Sequence, residues 1–133
     1  MQALNAREQS RQLHPHWQDE DNLLTLLAYN ANHYPNQVAM RERDHGIWQE
    51  YTWQQYLDHV LGFAAGLEQL GVQADDLILI LGDNRPAWYF AMLGAIAVGA
   101  IPSPAYPDTT PEELSGQIQR ESIRFAVAED QEQ

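Results

Sequence analysis

The chain has 133 residues and a mass of 15.2 kDa, about the length of one domain, and its 44% apolar content is that of a folded core. Seven Arg, no Lys and nineteen carboxylates leave a net charge of −12, which argues against a nucleic-acid binder and against attachment to an anionic membrane. With no Cys, disulfides, thiolate nucleophiles and Cys-ligated zinc are excluded; with no Lys, so are a Schiff-base lysine and a phosphate-loop lysine.

Residues 1–21 are polar and weakly periodic and read as a flexible arm. They lack the basic start and apolar run of a secretory signal, so a cytoplasmic protein is expected. His14-Pro15-His16 has no third fixed ligand, and Pro15 blocks a regular helix there, so it reads as solvated arm and not as a metal site. Asn22 caps a helix whose Leu23, Leu26, Leu27, Ala31 and Tyr34 share one face, and Pro35-Asn36 ends it. Gln37–Arg43 and Ile47–Thr52 read as two strands around the turn Asp44-His45-Gly46. Thr52 and Gln55 form a capping box for an amphipathic helix with Trp53, Tyr56, Leu57, Val60, Ala64 and Leu67 at helical spacing, and Gly71 stops it. Gly62 and Gly66 lie four apart in that helix. Each costs about 1 kcal/mol relative to Ala, which predicts close approach of another backbone.

Beyond Gly71 the rhythm changes. Leu77–Leu81 is a continuous apolar run, the mark of a parallel strand covered on both faces. Gly82-Asp83-Asn84 makes the turn; Asn84 is expected to cap the next helix, with Pro86 near its first position and Gly99 just past its end. Ala100–Pro104 gives a second strand. Thr110 caps and Pro111 opens another helix, with Glu112 and Glu113 in the first turn where the dipole favours anions. Arg124–Ala128 is a third strand. The fold class is therefore α/β: a three-layer parallel-sheet βαβαβ segment with right-handed crossovers, preceded by a helix, a β-hairpin and an amphipathic helix. Ala87–Ile101 carries no charge and only the Tyr89 hydroxyl as a strong hydrogen-bonding group. A helix apolar all round wants burial on every side. It is too short to span a membrane and is interrupted by Gly94 and Gly99. Three strands and four helices offer it little cover. The expectation is that a missing part or a partner covers it, and that the isolated chain self-associates through it and through the strand edge near Arg124–Ala128.

The chemistry is thin. No G-x-S-x-G surrounds Ser10, Ser103, Ser115 or Ser122, and no glycine pattern of a dinucleotide or phosphate loop occurs. Asp75-Asp76 and Glu112-Glu113 are explained by a turn and a helix N-terminus. The most suggestive cluster, Asp83-Asn84-Arg85-Pro86-Ala87-Trp88, lies just past the apolar strand, where open α/β sheets bind ligands. It reads as a structural turn: a cap at Asn84, an ion pair of Arg85 with a carboxylate such as Asp83, and Trp88 anchoring the helix against the sheet.

Four stretches carry a resemblance. Gly46-Ile47-Trp48-Gln49-Glu50-Tyr51-Thr52-Trp53 resembles the hairpin-to-helix segment of long-chain acyl-CoA synthetases, in the AMP-binding, adenylate-forming superfamily. Gly82-Asp83-Asn84-Arg85-Pro86-Ala87-Trp88 is similar to their (G/S)-(D/E)-N-R-P-E-W turn, with Ala87 in place of Glu. Gly99-Ala100-Ile101-Pro102, then Tyr106-Pro107-Asp108-Thr109-Thr110-Pro111-Glu112-Glu113, resembles their G-A…Y-P-(D/T)-(S/T)-x-P-E-E stretch. The last ten residues, Arg124 to Gln133, resemble their R-F-V-V-A-E-D-Q-E-Q. The order is the family's, over residues 22–133.

The resemblance implies activation of a fatty acid with Mg-ATP to an acyl-adenylate, then acyl transfer to CoA. It also implies that residues 22–133 are the N-terminal portion of the AMP-binding large domain, truncated before the phosphate loop, whose Pro-Lys-Gly end and a C-terminal lysine lie downstream. The lack of Lys agrees with that. No catalytic, cofactor-binding or metal-ligating residue is assigned to this chain, and it is expected to bind no cofactor itself; fatty acid, ATP, Mg²⁺ and CoA belong to the full-length enzyme. Two functional classes follow: an N-terminal fragment of a long-chain fatty acid–CoA ligase, inactive on its own, or a stand-alone non-catalytic α/β module that binds a protein partner through its uncovered apolar helix.

Overall fold

The computed structural model describes residues 22–129. The expected arm at 1–21, with His14 and His16, and the last four residues lie outside the described residues. In chain order the elements are α1 (Leu23–His33), β1 (Val38–Asp44), β2 (Ile47–Thr52), α2 (Trp53–Gln69), β3 (Leu77–Leu81), α3 (Pro86–Ala97), β4 (Ile101–Ala105), α4 (Pro111–Glu121) and β5 (Phe125–Ala128).

Three helices start where short polar side chains can satisfy the first amides. Asn22 Oδ1 accepts from the Leu24 and Thr25 amides at 2.9 and 3.1 Å, and Thr25 Oγ1 accepts from the Asn22 amide at 2.8 Å. Thr52 Oγ1 accepts from the Gln55 amide at 3.2 Å, and Gln55 Oε1 accepts from the Thr52 amide at 2.9 Å. Thr110 and Glu113 make the same reciprocal pair. The fourth start differs from expectation: the cap residue of α3 is Arg85, with no side-chain cap bond. Pro86 takes the first helical position, which needs no amide donor, and so moves the cap one residue past Asn84. Asn84 Oδ1 instead accepts from the Tyr89 hydroxyl at 2.6 Å.

β1 and β2 form an antiparallel hairpin. The other three strands form a parallel sheet in the order β4-β3-β5. The chain steps from β3 to β4 on one side, then back across β3 to β5. Two right-handed crossovers in opposite directions put their helices on opposite faces, and the pleat agrees. Ile78 and Ile80 pack with Ala91 and Ala95 of α3. Leu79 is in register with Ser103, whose Oγ donates to Glu121 of α4 at 2.8 Å and accepts from Gln117 of α4 at 3.0 Å. All of Ile78–Leu81 is buried, which is why the run is continuous.

The apolar helix α3 finds its cover within the chain. Sheet residues hold one side. On the other, Phe90 and Leu93 pack with Leu27 of α1 and Val60 of α2. Its exposed residues are Ala87 and Ala97, and none of the exposed large hydrophobic side chains belongs to it. The expected uncovered helix, and with it the interaction module built on that helix, is therefore corrected: α1 and α2 supply the missing layer. On α1, Leu27 and Ala31 are buried and Leu24 packs inward, whereas Leu23 and Tyr34, expected on the same face, are exposed.

The close helix approach exists, but at a different glycine. A Cβ on Gly94 would lie 2.7 Å from Phe63 Cβ and 3.3 Å from the Ala64 N and Val60 O backbone atoms of α2. At Gly62 and Gly66 it would meet nothing within 4 Å. The thin side of the α2–α3 contact is on α3.

Candidate functional site: a cleft at the strand ends

β3 and β4 are neighbours whose exits lead to helices on opposite faces, which opens a crevice at their carboxyl ends, where open α/β sheets receive ligands. A cleft of about 610 Å³ occupies this place. One wall is Gly82, Asp83 and Asn84 after β3, with Trp88 and Tyr89 from the first turn of α3; the other is Pro104 and Ala105 of β4 with Tyr106 and Pro107. The walls are mostly aromatic and prolyl, with a carboxyl at Asp83 and an amide at Asn84.

The turn Asp83–Trp88 thus stands where the sequence places it, but its bonding is not local. The Arg85 guanidinium turns away from Asp83 to three carboxylates distant in sequence. Nε meets Glu42 Oε2 at 3.0 Å, Nη1 meets Glu129 Oε1 at 3.2 Å and Nη2 meets Asp44 Oδ1 at 3.6 Å. The second oxygen of Glu129 accepts from the Asp83 amide at 2.7 Å. The bond to Glu42, reinforced by its charge and those of Glu129 and Asp44, holds Arg85 above its ordinary pKa. Beside it, the Tyr51 hydroxyl donates to Glu42 Oε1 at 3.2 Å and is shifted up by burial and then by that bond. Tyr56, on the α2 side of Phe90, is pushed up to about 12, mainly by burial and then by Tyr89. Trp88 is half-buried and packs against the sheet-side core, as expected of an anchor.

No lining residue of the cleft is a cation, and the nearest, Arg85, is held by carboxylates. Among the described residues no group of three His, Cys, Asp or Glu side chains could hold a metal ion. Sequence reasoning missed Glu42, Asp44 and Glu129 as partners of Arg85, and Tyr106 as a rim residue of the cleft. The one local signal is the alternation of Arg41 and Arg43 with Glu42 and Asp44 in a strand, which puts the two carboxylates on one face; that face is the half-buried one in the structure.

Comparison with known proteins gives the surrounding context. Residues 27–133 match the model of the AMP-binding enzyme family. The long-chain-fatty-acid–CoA ligase FadD15 of Mycobacterium tuberculosis is 27% identical over 84% of this chain and 18% of its own length. The chloroplastic long-chain-fatty-acid–[acyl-carrier-protein] ligase AEE15 of Arabidopsis thaliana is 34% identical over 76% of this chain and 14% of its own. The crystal structure of the fatty acid AMP ligase from Legionella pneumophila superposes with a TM-score of 0.72 over 80% of this chain and 19% of that one, at 22% identity, a likeness of fold. The chain thus spans less than a fifth of the length of each of these three. Among the described residues no helix is long and apolar enough to cross a membrane.

Proposed function

The chain belongs to the AMP-binding enzyme family, and we propose that it forms the N-terminal part of a long-chain fatty acid–CoA ligase, which activates a fatty acid through acyl-AMP and then forms the CoA thioester. The observation that carries this reading is the match of most of the chain to two enzymes named as long-chain fatty acid ligases. Fatty acid, ATP, Mg²⁺ and CoA are the partners of the whole enzyme. No step of its chemistry is assigned to residues of this chain. Residues 22–133 act as the scaffold that begins the large domain, the isolated chain is inactive, and the protein works in the cytoplasm. Self-association of the isolated chain rests on its strand edges: among the described residues β4 and β5 each pair only with β3.

The test is thioester formation by the protein that carries this stretch at its N-terminus, given ATP, Mg²⁺ and CoA with laurate, palmitate or oleate. Long-chain acyl-CoA is the expected product. Activity confined to aryl or amino acids, or none with any acid, overturns the reading.

A further inference from the structure

We propose that Arg85 is a latch that makes the position of one wall of the cleft depend on the β1–β2 hairpin, a positioning role that does not rest on the ligase reading. A two-stranded hairpin is marginal by itself. Backbone bonds tie its base to the start of α2, from the Trp53 amide to Gln37 O at 3.0 Å and from the Gln54 amide to Pro35 O at 3.2 Å. Near its tip, Glu42 and Asp44 meet Arg85. Arg85 in turn reaches Glu129 just past β5, and Glu129 holds the Asp83 amide in the cleft wall. The bonds run without a break from Tyr51 through Glu42, Arg85 and Glu129 to Asp83, so one side chain links the hairpin, the β3–α3 turn and the end of β5, beside the packing of Met40 and Tyr51 against Phe90 and the backbone bond from the Glu129 amide to Leu81 O. The Glu42 and Glu129 side chains are only 17% and 21% exposed, so solvent screens these bonds less than it screens surface pairs. A guanidinium presents several donors in a rigid plane, whereas an ammonium is a point charge; a Lys at this position would not hold three carboxylates in this arrangement.

The test is amide hydrogen exchange in the 133-residue chain, read at Asp83 for the wall and at Leu79 for the core. Glu42→Gln, remote from Asp83, should speed exchange at Asp83 about tenfold, the scale of a lost charged hydrogen bond, and leave Leu79 within about twofold. Arg85→Met should do the same, and Glu42→Gln should add nothing in that background. Arg85→Lys should fail to restore the parent rate. The proposal is overturned if Glu42→Gln leaves Asp83 unchanged, if it speeds Asp83 and Leu79 alike, or if it acts equally with and without Arg85. Should Arg85→Met unfold the chain, Glu42→Gln alone decides between these results.

Discussion

The two faces of the β4-β3-β5 sheet are built on different principles. One is dry: Ile78 and Ile80 lie under Ala91 and Ala95 of α3, and α3 lies under Val60, Leu27 and the rest of a second apolar cluster. The other is thinner: Leu79 and Leu81 are buried there, but α4 itself has no buried residue, and its hydrogen bonds to the sheet run from Gln117 and Glu121 to Ser103. Apolar burial scales with area, so stability is concentrated on the α3 side.

That contrast can be broken by substitution. The largest effect belongs to Ile78→Ala, at a fully buried side chain on the dry face; it should cost about 2–5 kcal/mol in urea unfolding. Gly94→Ala comes next, at about 1–3 kcal/mol, because the new methyl group would meet α2 backbone and Phe63 Cβ and one of the helices must shift. Ser103→Ala tests the thin face and should cost only about 1 kcal/mol, the net worth of its hydrogen bonds. A loss there equal to that of Ile78→Ala would erase the distinction between the faces. Gly62→Ala should run the other way and stabilise α2 by roughly 0.5–1 kcal/mol, since a methyl group enters open space and the helix gains propensity.

A pH dependence tests the packing around Phe90. Tyr56 has its folded pKa raised from 10.0 to about 12 by burial. The unfolded chain therefore releases this proton first, so its contribution to stability is full below pH 10 and is lost as pH rises to about 12. Unfolding of Tyr56→Phe beside the parent across that interval should show a shallower alkaline loss; identical slopes would place the titration elsewhere.

Much of this architecture was legible because its signals are local. Thr52 with Gln55, Thr110 with Pro111, and the unbroken Leu77–Leu81 run each announce an element within a few residues, and all three stand in the structure. The place of the Asp83–Trp88 turn just past the apolar strand was legible too, whereas the cleft beside it depends on the strand order β4-β3-β5. What was not legible depends on distance. Residue type makes Asn84 the expected cap, yet Pro86 fixes the cap at Arg85 and leaves Asn84 to the Tyr89 hydroxyl. Proximity pairs Arg85 with its neighbour Asp83, whereas its three partners, Glu42, Asp44 and Glu129, are distant in sequence. α3 reads as uncovered in the sequence because composition shows what a helix needs and not which helix supplies it. Likewise Gly62, Gly66 and Gly94 are alike in sequence, and only the α2–α3 crossing separates them.

A scaffold of an adenylate-forming ligase, as proposed for this stretch, cannot form an acyl-adenylate without the rest of the enzyme. ATP–pyrophosphate exchange by the 133-residue chain, with long-chain fatty acids and Mg²⁺, tests this most directly. Exchange no greater than a protein-free blank is the expected result; robust fatty-acid-dependent exchange would contradict it.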